Sequence, residues 1–261
     1  MSEIAMRNGK NGRRVFVFML GLFLFAFLFA AAAYFISVVM TNWSAKLQGE
    51  EPPIPVSSDG MLPVLIVDPG HGGEDGGSSS GETLEKDLNL ELALALRDIC
   101  DLTGLPVKLT RESDTALYDL YGDLDDYSGK KKIYDLKNRV RFATEEGGVY
   151  LGIHMNKFPD AKYRGLQVYY SPNDPGSVAL ADAVADEVNG KISPWNGRKS
   201  KKATSAIFVL DRLKIPAVLV ECGFLSNPED LEALCDPSYR ASLASAIFSG
   251  AAKYETGASG Y

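Results

Sequence analysis

With 261 residues, 46% of them hydrophobic and 23% charged, the chain has room for one ordinary domain plus a short terminal segment, and it needs no disulfides to bury a core. Residues 1–40 hold four bases (Arg7, Lys10, Arg13, Arg14) and one acid (Glu3), so the remainder carries 33 acids against 23 bases, a formal charge of −10. A domain that acidic has no basic face for phosphate, which argues against nucleic acid as a partner.

The first element in chain order is apolar. Val15 to Met40 is a run of 26 residues without a charge, and about 20 apolar residues in a helix cross a bilayer core. The basic RNGKNGRR before it favours a cytoplasmic N-terminus. A cleaved secretory signal is the alternative, with Ala30 to Ala33 as small residues for cleavage, but its apolar region is usually only about 7–15 residues long. The expected layout is a cytoplasmic basic tail (1–14), a transmembrane helix (15–40), a Pro/Ser-rich stalk (41–61), one globular domain (62–255) and a disordered tail (256–261). It makes the chain a single-pass protein of the cytoplasmic membrane, with its globular domain on the extracytoplasmic side.

Strands and helices then alternate. VLIVD (64–68) reads as a strand buried on both faces, and the glycine loop PGHGGEDGGSSSG follows it. Helical periodicity over 84–104 ends at Gly104. Strand 106–110, helix 133–148, strand 149–154, a half-exposed strand 165–171, helix 177–192, a short strand within AIFVL (206–210), strand 216–221 and helices over 228–235 and 238–254 complete the order. The pattern predicts an α/β fold, a mostly parallel sheet covered by helices on both faces. The polar insert between Asp114 and Lys132 reads as a surface excursion or lid near a site.

Three cysteines form no paired framework, and there is no CxxC pair. Cys100 and Cys235 lie in apolar helical patterns and read as core residues. Cys222 follows Glu221 on a strand, so its side chain is expected on the opposite face, which argues against a nucleophile.

In open α/β sheets, ligands bind beyond the carboxyl ends of the strands. The chain has two histidines, and both fall there: His71 lies three residues past VLIVD and His154 ends VYLGIH. Glu221 ends PAVLVE, and Glu85 opens the helix after the glycine loop, where the loop can fold it back beside His71. Two imidazoles and one carboxylate leave an open position and suit zinc better than magnesium. His71, Glu85 and His154 are the candidate ligands of one Zn2+, and Glu221 is the candidate base that moves the proton of a zinc-held water. Glu74, Asp75 and Glu82 sit in the loop and read as solvated carboxylates. A phosphate cradle fails on its own pattern, because Asp75 stands where the third glycine of GxGxxG belongs.

The motifs IVDPGHGGEDGG, LEKDLN, LTRESD, YLGIHMN, GLQVYYS and VLVECGFLSNPED, in that order over residues 64–254, resemble the signature of the zinc N-acetylmuramoyl-L-alanine amidases of the Amidase_3 type. The resemblance implies the same zinc ligands, His71, Glu85 and His154, with Glu221 as the catalytic glutamate. The substrate it implies is peptidoglycan, cut at the amide between muramic acid and the L-Ala of the stem peptide. Arg111 and Arg139 match recurrent family positions and, with Asn156, are candidates for substrate contact; salt bridges at strand and helix ends compete as the reading of the two arginines. Lys157 departs from the small residue many relatives carry. Domain size, a single anchor and the lack of a wall-binding repeat look most like the subgroup that acts on spore cortex, where muramic δ-lactam is formed before germination. A protein activator is a further candidate partner. A vegetative cell-separation amidase, a zinc peptidase of stem peptides and an inactive wall-binding module are the alternatives.

Overall fold

The computed structural model describes residues 63–257. The membrane helix expected over 15–40, the tail before it and the stalk lie outside the described residues. Among the described residues no helix is long and apolar enough to cross a membrane.

The strand β1 (Leu65–Pro69) is buried along its whole length, as its unbroken apolar run requires. It pairs in parallel with β4 (Val107–Leu109) on one side and β5 (Val149–Asn156) on the other. β5 pairs in parallel with β8 (Ala217–Phe224). Two short strands close the sheet: β6 (Gln167–Tyr170), antiparallel to β8, and β7 (Lys201–Lys202), parallel to β6. The order across the sheet is β4-β1-β5-β8-β6-β7. The glycine loop adds a small hairpin of β2 (Ser79–Ser80) and β3 (Thr83–Leu84).

Strand alternation divides the core. Leu65, Val67, Val149, Leu151, Ile153, Val218, Val220 and Cys222 face one side. That side is covered by α1 (Glu85–Thr103), α3 (Gly176–Lys191), α5 (Pro228–Cys235) and α6 (Pro237–Thr256). Ile66, Tyr150, Ala217 and Leu219 face the other, covered by α2 (Lys131–Glu146) and α4 (Phe208–Arg212). Helix ends follow local chemistry. α1 stops at Gly104, whose φ of 76° is left-handed. α5 starts at Asn227, whose side chain accepts from Glu229 N and Asp230 N, with Pro228 in the first turn.

Three expectations need correction. AIFVL is not a strand: its second half opens α4, and β7 pairs with β6 instead. A short apolar run looks alike in both states. The helix is favoured here because Asn173 Nδ2 donates to the carbonyls of Leu210, Asp211 and Leu213 at 2.9–3.2 Å, satisfying the groups its end leaves open. Cys235 is exposed, since it sits in the last turn of α5, while Cys100 is buried as expected. β8 runs three residues past Glu221, after a register shift against β5. The insert 114–132 does fold onto the glycine loop. Asp114 accepts from Gly73 N at 2.8 Å and from Lys86 Nζ at 2.6 Å. The segment is tied down by buried Leu117, whose carbonyl accepts from Asn138 Nδ2 at 2.6 Å.

Candidate active site

The side chains nominated from the sequence meet at the carboxyl ends of β1, β5 and β8. His154 follows Tyr150 and Gly152 onto the α2 side of the sheet, and Glu221 follows Ala217 and Leu219 there. The two are direct register partners on neighbouring strands, so two-residue alternation alone sets them side by side. Cys222 points into the opposite core and is buried.

His71 reaches the same place by a backbone turn. Its φ of 63° makes it the one non-glycine residue with positive φ among the described residues. Such a conformation costs a residue with a Cβ roughly 1–2 kcal/mol. The glycines around it are there for space. A Cβ on Gly70 would lie 2.2 Å from the His154 ring, and one on Gly77 would lie 2.7 Å from both Glu85 and the His71 ring. The β2–β3 hairpin returns the chain so that Glu85 opens α1 beside His71.

Glu85 is the hub. Its Oε1 lies 3.2 Å from His71 Nε2 and 3.0 Å from His154 Nδ1, and it also accepts from Met155 N at 3.2 Å. Its Oε2 accepts from Ser78 N at 2.7 Å. The donor atoms of His71, Glu85 and His154 all lie within 4.8 Å of one another, a set that could hold a metal ion. Two imidazole nitrogens with one carboxylate oxygen, against an open groove, is the donor chemistry of a catalytic zinc site.

Known proteins resemble the chain over most of its length. Residues 65–253 match the family model described as N-acetylmuramoyl-L-alanine amidase. The germination-specific N-acetylmuramoyl-L-alanine amidase of Bacillus subtilis is 34% identical over 215 residues, which cover 82% of this chain and 83% of that protein. The CwlD amidase of Clostridioides difficile, solved in complex with the GerS lipoprotein, is 34% identical with a TM-score of 0.68, over 74% of this chain and 98% of that one. The amidase AmiC2 of Nostoc punctiforme is 29% identical with a TM-score of 0.60, over 74% and 96%.

The chain belongs to the N-acetylmuramoyl-L-alanine amidase family.

It is an enzyme of that class, and its groove is lined by both apolar and polar side chains. One cavity of the amidase, of about 290 Å³, is lined by Leu136, Ile207, Phe208 and Leu219 together with His71, His154 and Glu221. A more open polar groove of about 410 Å³ shares those three residues and extends past Glu85, Ser78, Asn156 and Lys157. Asn156 therefore lines the groove. Lys157 turns its Nζ to Ser79 O at 2.6 Å.

Charge in the amidase site is uneven. Burial pushes the Glu85 carboxyl up, but hydrogen bonds from His154 and His71 outweigh it and hold the group well below the usual carboxylate range. Burial lowers His71, yet Glu85 and then Asp75 overcome it, so the imidazole is raised. Glu221 differs: burial pushes it up to about 7, against the pull of His154, and its Oε2 is buried with no hydrogen-bond partner. It is a carboxyl without a fixed task in the resting protein.

Two nominated residues are used differently and one was missed. Arg111 and Arg139 are buried at 4% and 2% exposure, and their guanidinium groups bond to backbone carbonyls and, for Arg139, also to buried acids, although Arg139 still borders the cavity that holds His71 and Glu221. The salt-bridge reading holds for Arg139, which pairs with Asp68 and Asp135. Asp75, read as a solvated loop acid, instead accepts from His71 Nδ1 at 3.0 Å. Its clue was its place four residues after His71, across the backbone bridge Gly72–Asp75. Glu74 is exposed and pairs with Lys131.

Proposed function

We propose that this amidase holds one zinc ion on His71, Glu85 and His154 and hydrolyses the bond between muramic acid and L-Ala in peptidoglycan, with Glu221 as general base. The observation that carries the reading is the triad of donor atoms within 4.8 Å, beside a buried carboxylate oxygen that bonds to nothing. Zinc bound there would lower the pKa of its water toward 7 and polarise the scissile carbonyl. Glu221 sits across from His154, where it can take the proton of the attacking water and return it to the leaving amine of L-Ala. A carboxyl near 7 in the metal-free protein is drawn down by a nearby dication, so it enters the reaction as a proton acceptor. Asp75 fixes the tautomer of His71 by accepting a hydrogen bond from its Nδ1–H, leaving Nε2 for the metal. The apolar wall of Ile207, Phe208 and Leu136 holds back water from one side of the bond. Mass analysis of products from a purified glycan-peptide tests the reading. Peptides that begin with a free L-Ala amine, and glycan carrying bare muramic acid, are expected; cleavage inside the peptide would point to a zinc peptidase.

The same proposal places the enzyme in spore cortex modification, anchored by residues 15–40 with the domain outside the cytoplasm. Likeness to a germination-specific amidase supports it, and so does the uncharged run of 26 residues. The C. difficile relative's complex with a lipoprotein makes a membrane-held lipoprotein the proposed protein partner here. Spores of a deletion strain are expected to lack muramic δ-lactam while vegetative growth stays normal. Chained vegetative cells with normal δ-lactam would assign the enzyme to cell separation.

A further inference from the structure

The two buried arginines converge on one short stretch of backbone. Arg139 Nη1 donates to Pro69 O at 3.0 Å and its Nη2 to His71 O at 2.7 Å. Arg111 Nε donates to Pro69 O at 3.0 Å and its Nη2 to Gly70 O at 3.1 Å. Asn89 Nδ2 adds a second bond to Gly70 O at 3.1 Å. Three successive carbonyls are thus held at the turn that carries His71, the one left-handed non-glycine residue described. Only Arg139 reaches the carbonyl of His71 itself.

Arg139 is fixed in turn. Its Nε donates to Asp135 Oδ2 at 2.7 Å, and its Nη1 also meets Asp68. Asp68, 1% exposed, takes further bonds from Thr110 and Tyr150. A buried charge held by two carboxylates, with its remaining donors on backbone carbonyls, is aimed and has little freedom to move. Without it, a left-handed histidine relaxes toward ordinary backbone angles, and its imidazole leaves Glu85 and His154.

We propose that Arg139 is a positioning residue for metal binding: by bridging the carbonyls of Pro69 and His71 it keeps His71 in the left-handed turn that brings Nε2 to Glu85 and His154, and Asp68 and Asp135 aim it. The inference rests on the zinc reading above. It adds that affinity for the ion is set in part by a residue that does not itself hold the metal.

The test uses the full-length chain in detergent. Zn2+ affinity is measured by competition with a chelator, and Co2+ is added in its place to read the visible absorption bands, which report ligand geometry. Arg139→Lys keeps the charge but loses the planar fork that sets one nitrogen on Pro69 O and another on His71 O. It is expected to bind Zn2+ about 10- to 100-fold more weakly, the range typical for outer-shell partners of a metal ligand, and to shift the Co2+ bands. Asp135→Asn leaves Arg139 in place but loosens its aim, and should fall between the two; it also decides the matter if Arg139→Lys does not fold. Unchanged Zn2+ affinity and unchanged Co2+ bands in folded variants would overturn the inference while leaving the zinc reading intact. A wild-type chain that takes up no Zn2+ would overturn both.

Discussion

Glu85 and Glu221 stand close together, yet their surroundings divide them into different roles. Glu85 receives hydrogen bonds from both imidazoles and two backbone amides, so it is charged and held still. Glu221 has a buried Oε2 with no such donor, so burial outweighs the pull of the histidines and its proton affinity rises. A group that must accept a proton and then release it belongs in the second environment. Glu221→Gln keeps the shape and removes the acceptor. We expect it to retain the metal and the fold and to lose about 10²–10⁴-fold in turnover. Steady-state rates on a glycan-peptide, with metal content measured alongside, check this; a variant with half of wild-type activity would remove Glu221 from the mechanism. Cys222, its chain neighbour, lies in the opposite core with its thiol pushed up by burial, and takes no part.

The elements that carry the site were legible in the sequence because two-residue and 3.6-residue periods are strong signals. VLIVD, VYLGIH and PAVLVE read as strands, and both histidines and Glu221 then fell at the carboxyl edge of the sheet. The placement of Glu85 needed only a loop able to turn back, and the glycines announced one. What stayed hidden depended on partners distant in the chain. The second half of AIFVL became a helix because Asn173, more than thirty residues earlier, completes its end. Arg111 and Arg139 turned inward because three carbonyls and two acids await them, a demand written in no local pattern. Asp75 gained its partner from the left-handed turn at His71. The helix α4 is where fold and groove meet, since Ile207 and Phe208 line the cavity. Asn173→Ala is expected to cost about 0.5–1.5 kcal/mol, as partly exposed carbonyls lose a donor, and to raise KM more than it lowers kcat. Denaturant unfolding and steady-state kinetics read the two effects; unchanged stability would show that Asn173 does not hold α4.

Across the whole domain, one buried carboxyl among the described residues serves neither the core nor the site. Glu255, near the end of α6, is 3% exposed and both its carboxylate oxygens lack partners. Burial pushes its pKa up to about 8. The folded state therefore favours the protonated form. Its contribution to stability is full below the carboxyl's unfolded pKa, near 4.5, and is lost progressively as pH rises toward 8. Glu255→Gln should raise the thermal midpoint by roughly 2–6 °C at pH 8 and change it little at pH 4. An equal shift at both pH values would mean that charge is not the cause. The site itself draws on the whole domain: a loop after β1, the start of α1, the edges of β5 and β8, and the arginine of α2 that holds the loop. The proposed zinc site is the point at which they meet, and metal analysis of the full-length chain in detergent tests that most directly. One zinc per chain is expected in the wild type, and none in the His71→Ala, His154→Ala double variant. Full zinc occupancy in the double variant would contradict the assignment of the site.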